Sequence, residues 1–286
     1  GHNSRKIRVK EKGEINMNTE KKEIIVPGQL TGPALLTGYL IKEVSVAPDR
    51  KRPAVIVCAG GGYWQRSDRE SEPLALQFMA MGCHAFILDY SVAPNHFPTS
   101  VRELGEAVAY IREHAAEWKV DPEKIIACGS SAAGHLVCSL GVFWNRELVY
   151  DAIGRTPEQI RPDGMILCYP VITGGEYAHE NSFKRLLGDD VTQEQRDAVS
   201  LENFVTEETP GAFIWHTYTD ETVPVENSLL LAAAMKRKNV NFELHIYPVG
   251  GHGLSLADEE TAGNGFQVVE QCQSWIPLVK MWLKHL

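Results

Sequence analysis

The sequence predicts a doubly wound α/β domain, with a mostly parallel sheet of about eight strands flanked by helices. Three observations carry that reading. Near-continuous apolar runs recur along the chain, as strands covered on both faces require. Helical patterns fall between them. The 286 residues, 44% hydrophobic and 23% charged, are enough for one large core of ordinary soluble type.

The elements follow in order. Residues 1–20 are expected to form a disordered tail. GHNS resembles a vector remnant, and RKIRVKEKGEIN is charged and lacks an apolar period. Lys12-Gly13-Glu14 reads as a translated ribosome-binding sequence, which makes Met17 the expected natural start in a bacterium. Residues 21–286 then read as a single domain. Its strands are expected at 53–60 (PAVIVCAG), 83–90, 124–130, 164–170, 212–217 and 242–248. Helices are expected at 72–82, 99–118, 132–144, 224–238 and 266–286. The second helix is the clearest, with Val101, Leu104, Val108, Ile111, Ala115 and Trp118 on one face. The fourth starts at Pro224, a favoured first-turn residue, and the last should kink near Pro277. Residues 171–205 are polar, contain glycine and break the alternation, which suggests a lid-like insertion.

Composition narrows the function classes. The net charge of −9, with no long basic run outside the N-terminus, argues against nucleic acid or an anionic membrane as partner. The six cysteines lie in apolar runs without C-x-x-C spacing, so buried thiols are expected rather than a zinc or thioredoxin site. No signal peptide or membrane-spanning run is visible, so a soluble, cytoplasmic protein is expected. A homodimer is compatible with the composition. No metal or organic cofactor is implied.

The chemistry starts at ACGSSAAGHL, residues 127–136. A strand ends here and a helix begins, a sharp turn that exposes a side chain and leaves helix N-terminal N–H groups free to bind an anion. The pattern G-x-S-x-G fits Ser131, with Gly129 before it but Ala133 in the second glycine slot. Ser130 fits neither slot. Alone, such a turn occurs by chance in many chains. A second feature is the triplet Gly60 to Gly62 after a buried strand. Glycine lets backbone N–H groups approach a tetrahedral oxyanion, so Gly61 or Gly62, with the N–H of Ala132, would be its donors. A tight βα turn would look the same, but the G-K-[ST] of a phosphate loop is missing.

A serine hydroxyl needs a base. His252 follows a strand in a glycine-rich loop, whereas His84, His216 and His245 lie inside strands and His135 lies on the helix after Ser131. A base needs an acid, and Asp220 follows a strand end, with Glu221 its neighbour and Asp258 a weaker competitor. The order Ser131, Asp220, His252, each after a successive strand, is that of the α/β-hydrolase fold.

The stretches AGGGYWQRSDRE, LDYSVAP, GSSAAGHL, WHTYTDETVPVENS and YPVGGHGLS resemble α/β-hydrolase esterases of the acetyl esterase and acetylxylan esterase type, related to the hormone-sensitive lipase group. The resemblance implies Ser131 as nucleophile, His252 as base, Asp220 as acid, and Gly61, Gly62 and Ala132 as oxyanion donors. It implies short-chain acyl esters as substrates, often acetyl groups on sugars, so the partner is a small-molecule ester such as an acetylated oligosaccharide. The histidine that often precedes the glycine triplet is Ala59 here. Tyr63 and Trp64 either supply an aromatic floor for substrate or pack under the lid. GGGYW also resembles the loop of arylformamidases, so amide chemistry is one rival. A binding protein on the same fold is another, although such proteins usually lack a triad member.

Overall fold

The computed structural model describes residues 18–286. The strands are β1 (Thr19–Ile24), β2 (Ala34–Tyr39), β3 (Arg52–Cys58), β4 (His84–Asp89), β5 (Val120–Ser130), β6 (Gly164–Cys168), β7 (Ala212–Thr217) and β8 (Phe242–Tyr247). They form one sheet in the order β1-β2-β4-β3-β5-β6-β7-β8. β2 pairs antiparallel with both β1 and β4, and every other pairing is parallel. The helices are α1 (Glu72–Ala80), α2 (Thr99–Glu113), α3 (Ala115–Trp118), α4 (Ala132–Phe143), α5 (Glu147–Tyr150), α6 (Pro157–Ile160), α7 (Glu180–Leu187), α8 (Gln193–Asp197), α9 (Glu226–Arg237) and α10 (Trp275–Lys284).

The period of two along each strand sends alternate side chains into two cores. Ala54, Ile56 and Cys58 of β3 join Leu104, Leu136, Leu140 and Leu231 from α2, α4 and α9. Val55 and Val57 join Leu74, Phe78, Trp275 and Val279 from α1 and α10. All six cysteines are buried free thiols. Among the described residues, no helix is long and apolar enough to cross a membrane.

Several boundaries differ from the sequence reading. The tail expected over 1–20 ends earlier, because Thr19 and Glu20 pair with Tyr39 and Gly38 in the sheet. Residues 1–17, with the expected start at Met17, lie outside the described residues. β1 and β2 have no long apolar run; β1 is a charged edge strand held by backbone pairing to β2 and by Ile24, buried in the core. The helix expected over 99–118 breaks at His114 into α2 and α3, and Lys119 closes α3 in the left-handed region at φ 55°. The last helix spans only 275–284, preceded by 3-10 turns over Gly265–Gln267 and Glu270–Ser274. Pro277 lies in its first turn, where a missing N–H breaks no helical bond, so it need not kink the helix.

Residues 171–205 carry α7 and α8 and lie against the helix that follows Ser131. Phe183 packs edge-on against His135 at 5.4 Å, and His135 Nε2 lies 2.8 Å from Val199 O.

Candidate active site

Ser131 sits between β5 and α4 with φ 56° and ψ −119°. Its N–H donates to Cys168 O at 2.9 Å, and its carbonyl accepts from Val171 N at 3.0 Å, which ties the turn to the end of β6. A Cβ on Gly129 would lie 2.0 Å from Ala133 O, so this position excludes any side chain. A Cβ on Gly134 would lie 2.6 Å from Pro170 Cβ. The close approaches therefore fall at Gly129 and Gly134, and the buried methyl of Ala133 is accommodated. Ser130 Oγ is buried without a hydrogen-bond partner, whereas Ser131 Oγ lies 2.6 Å from His252 Nε2.

His252 Nδ1 lies 2.6 Å from Asp220 Oδ2. The other carboxylate oxygen accepts the N–H groups of Thr222 and Val223 at 3.0 and 2.9 Å. Burial alone would push the Asp220 carboxyl up, but hydrogen bonds from His216 and His252 and the His252 charge outweigh it and hold the group well below its ordinary range. Of the three acidic candidates, Asp220 is the one that meets His252. Glu221 is exposed, and Asp258 accepts from Glu260 N in its own turn.

The glycine loop lies against the turn. A Cβ on Gly60 would stand 2.6 Å from Ser130 O and 3.0 Å from Ser131 Cβ, and one on Gly61 would stand 2.1 Å from Gln65 O. Trp64 N and Gln65 N donate to Gly61 O, and Ser67 N donates to Gly60 O. Among the described residues, no backbone acceptor takes the N–H of Gly61 or Gly62, and Ala132 is the first residue of α4. Ala59, which stands where relatives often carry histidine, offers its carbonyl to the Tyr90 hydroxyl.

Tyr63 is not an exposed substrate floor. Its φ of 58° turns it inward, it is 3% exposed, and its hydroxyl lies 2.9 Å from His135 Nδ1. Trp64 is 62% exposed, with the Arg185 guanidinium 5.2 Å from its ring centroid.

Sequence reasoning missed four supporting residues. His216 lies inside β7; its Nε2 is 2.8 Å from Val223 O and 3.3 Å from Asp220 Oδ2, and Ser228 Oγ donates to its Nδ1 at 2.7 Å. Tyr169, at φ 37°, sets its ring edge-on to His252 at 5.1 Å. The Tyr169 hydroxyl donates to buried Glu70 and accepts from Ser255 N at 3.0 Å. His179 and Arg185 come from the 171–205 segment. Only His216 carried a readable signal: it stands four residues before Asp220 on a strand that ends at the site.

Fold and site geometry together are those of the α/β-hydrolase class. Comparison with known proteins agrees. The model of the BD-FAE family matches residues 44–235, and the chain belongs to that family. It is 38% identical over 221 residues to endo-1,4-beta-xylanase B of Butyrivibrio fibrisolvens, covering 74% of this chain and 34% of the relative. It is 27% identical over 209 residues to an acetylxylan esterase of Xylanibacter ruminicola, covering 71% and 41%. The chain thus spans well under half the length of these two relatives. Among solved structures, an acetyl ester-xyloside bifunctional hydrolase from Caldicellulosiruptor lactoaceticus superposes with TM-score 0.78 at 36% identity, covering 90% of this chain and 89% of that one. A carboxylesterase from Lactobacillus plantarum gives TM-score 0.82 at 28% identity, covering 94% and 98%.

Proposed function

We propose that this chain removes short acyl groups, acetyl first, from carbohydrate esters through an acyl-enzyme on Ser131. The observation that supports this best is the continuous relay from Ser131 Oγ to His252 to Asp220, both links at 2.6 Å. In the first step His252 Nε2 takes the serine proton as Oγ attacks the ester carbonyl carbon. The carbonyl electrons move to oxygen, and the N–H groups of Gly61, Gly62 and Ala132 hold the oxyanion. Collapse breaks the bond to the alcohol, which leaves with the proton from His252. Water, activated by the same imidazole, then releases the acid. Asp220, anionic and fully hydrogen-bonded, holds the Nδ1–H tautomer and stabilises the imidazolium.

The sugar reading draws on the relatives, whose names include acetylxylan esterase and acetyl ester-xyloside hydrolase. The test compares hydrolysis of 4-nitrophenyl acetate, longer acyl homologues, acetylated xylo-oligosaccharide and N-formylkynurenine, with Ser131→Ala as control. Acetyl esters should turn over fastest, and Ser131→Ala should lose at least about a thousandfold in kcat. Esterase activity surviving in that variant would overturn the mechanism. Formamide turnover far above acetate turnover would overturn the substrate.

A further inference from the structure

Arg185 lies on α7, in the segment that lies against the helix after Ser131. Its guanidinium is 5.2 Å from the Trp64 ring centroid, and Nη1 reaches Gly62 O at 3.4 Å. A Cβ on Gly62 would stand 2.8 Å from Arg185 Nη1 and 3.9 Å from His179 Cε1. The cation therefore borders the loop whose N–H groups face the reacting carbonyl in the mechanism above. It is half-buried, yet among the described residues no carboxylate lies within ion-pairing distance of it. Arg112 meets Asp163, Arg155 meets Glu106 and Glu113, and Arg196, in the same segment as Arg185, meets Glu180; Arg102 and Arg161, also without a carboxylate, give their donors to backbone carbonyls away from the site, whereas Arg185 stands beside the glycine loop.

This chain has 37 acidic and 28 basic side chains, so carboxylates to pair with Arg185 are plentiful. Leaving a guanidinium unpaired beside the site keeps its donor fork free for a ligand. Gly62 O takes one of five N–H donors, at the long limit of a hydrogen bond. The cation–π contact with Trp64 restrains the Arg185 side chain, which reduces the entropy lost when a carboxylate docks two-pronged. Burial, chiefly, pushes the pKa of neighbouring His179 down, which disfavours a second cation beside Arg185. A neutral sugar would be served by the exposed Trp64 ring alone. The permanent cation on its face fits a substrate with an anionic group.

We propose that Arg185, held on Trp64, selects esters that carry a carboxylate near the scissile bond, such as an acetylated oligosaccharide with a uronic acid branch. This rests on the esterase reading of the site. The test measures kcat/KM for two matched pairs: 4-acetoxybenzoate against phenyl acetate, with the anion in the alcohol, and monoethyl succinate against ethyl butyrate, with the anion in the acyl group. The wild type should favour the anionic member of one pair by about fivefold to tenfold at low salt, and the preference should shrink as salt is added. Which pair responds locates the anion. Arg185→Gln should bring the ratio to about one, while Arg185→Lys should keep part of it. Circular dichroism melts establish that both variants are folded. No preference in either pair, a preference that survives Arg185→Gln, or an equal fall of both members in that variant would overturn the proposal. Ser131→Ala, assayed in parallel, separates the two readings: turnover that survives it defeats the nucleophile assignment and leaves the Arg185 ratios to be judged on their own.

Discussion

Acidification should weaken this fold through His135, and the loss can be worked out from its contacts. The ring is fully buried between three parts of the site. Nε2 donates to Val199 O at 2.8 Å, so Nδ1 is the unprotonated nitrogen that accepts the Tyr63 hydroxyl at 2.9 Å. Burial pushes the imidazole down from 6.5 to about 4, against the upward pull of the Val199 carbonyl. The folded value lies below the unfolded one, so the unfolded chain takes up the proton first as pH falls. The contribution is therefore complete above about pH 6.5 and is lost progressively towards pH 4. Between pH 6.5 and pH 5 that is about one and a half units at about 1.4 kcal/mol each, or about 2 kcal/mol. His135→Gln keeps a donor and an acceptor but cannot titrate. In urea unfolding followed by tryptophan fluorescence, the wild type should be the more stable at pH 7.5, and its lead over His135→Gln should shrink by about 2 kcal/mol at pH 5. Every other titrating group is common to both proteins and cancels in the difference. A lead that is the same at both pH values would refute the neutral, buried assignment of His135.

Three further outcomes follow from distances around the site. Gly129→Ala should destabilise the fold by about 3 kcal/mol in denaturant titrations and remove activity, since its methyl would lie 2.0 Å from Ala133 O. Ala133→Gly should keep kcat/KM within about threefold and lower stability by about 1 kcal/mol, because it alters helix propensity and not the turn. Tyr169→Phe should destabilise by about 2 kcal/mol and lower kcat more than KM changes. It strips a donor from buried Glu70 and an acceptor from Ser255 N, on the loop that carries His252. An unchanged kcat in a folded Tyr169→Phe protein would separate this network from the chemistry.

The residues that sequence reading located share one property: each directly follows an apolar strand. Ser131 comes after β5, Asp220 after β7, His252 after β8, and the glycine triplet after β3. In a parallel sheet those strand ends lie along one edge, so a local pattern predicts a distant meeting. The supporting residues have no such marker. Tyr169 and Ser255 are 86 positions apart and meet only because the strand order places β6 beside β7 and β7 beside β8. For Tyr63 the sequence leaves open a substrate floor or packing under the lid, because the positive φ that turns its ring inward has no trace in composition; the buried ring follows the second alternative. β1 and β2 were hidden for a different reason. β1 is a charged edge strand and β2 fully buries only alternate side chains, so neither shows the continuous valine and isoleucine run of a central parallel strand.

Tyr63 at 58°, Ser131 at 56° and Tyr169 at 37° hold positive φ although none is glycine, as does Ser255 at 53° on the His252 loop. Each such conformation costs about 1–3 kcal/mol. Both tyrosines bury their rings almost completely, which contributes about 2 kcal/mol or more apiece, and both use the hydroxyl to join separate segments. Tyr63 links the glycine loop to α4, and through His135 to the carbonyl of Val199 in the 171–205 segment. Tyr169 links the end of β6 to Glu70, just beyond the glycine loop, and to the loop of His252. The strain at Ser131 is thus enclosed by two buried tyrosine bridges that fix the glycine loop from both sides. In the proposed mechanism, donors fixed in this way would not need to reorganise when charge develops on a bound carbonyl, and that preorganisation would be the main electrostatic advantage of the site over water.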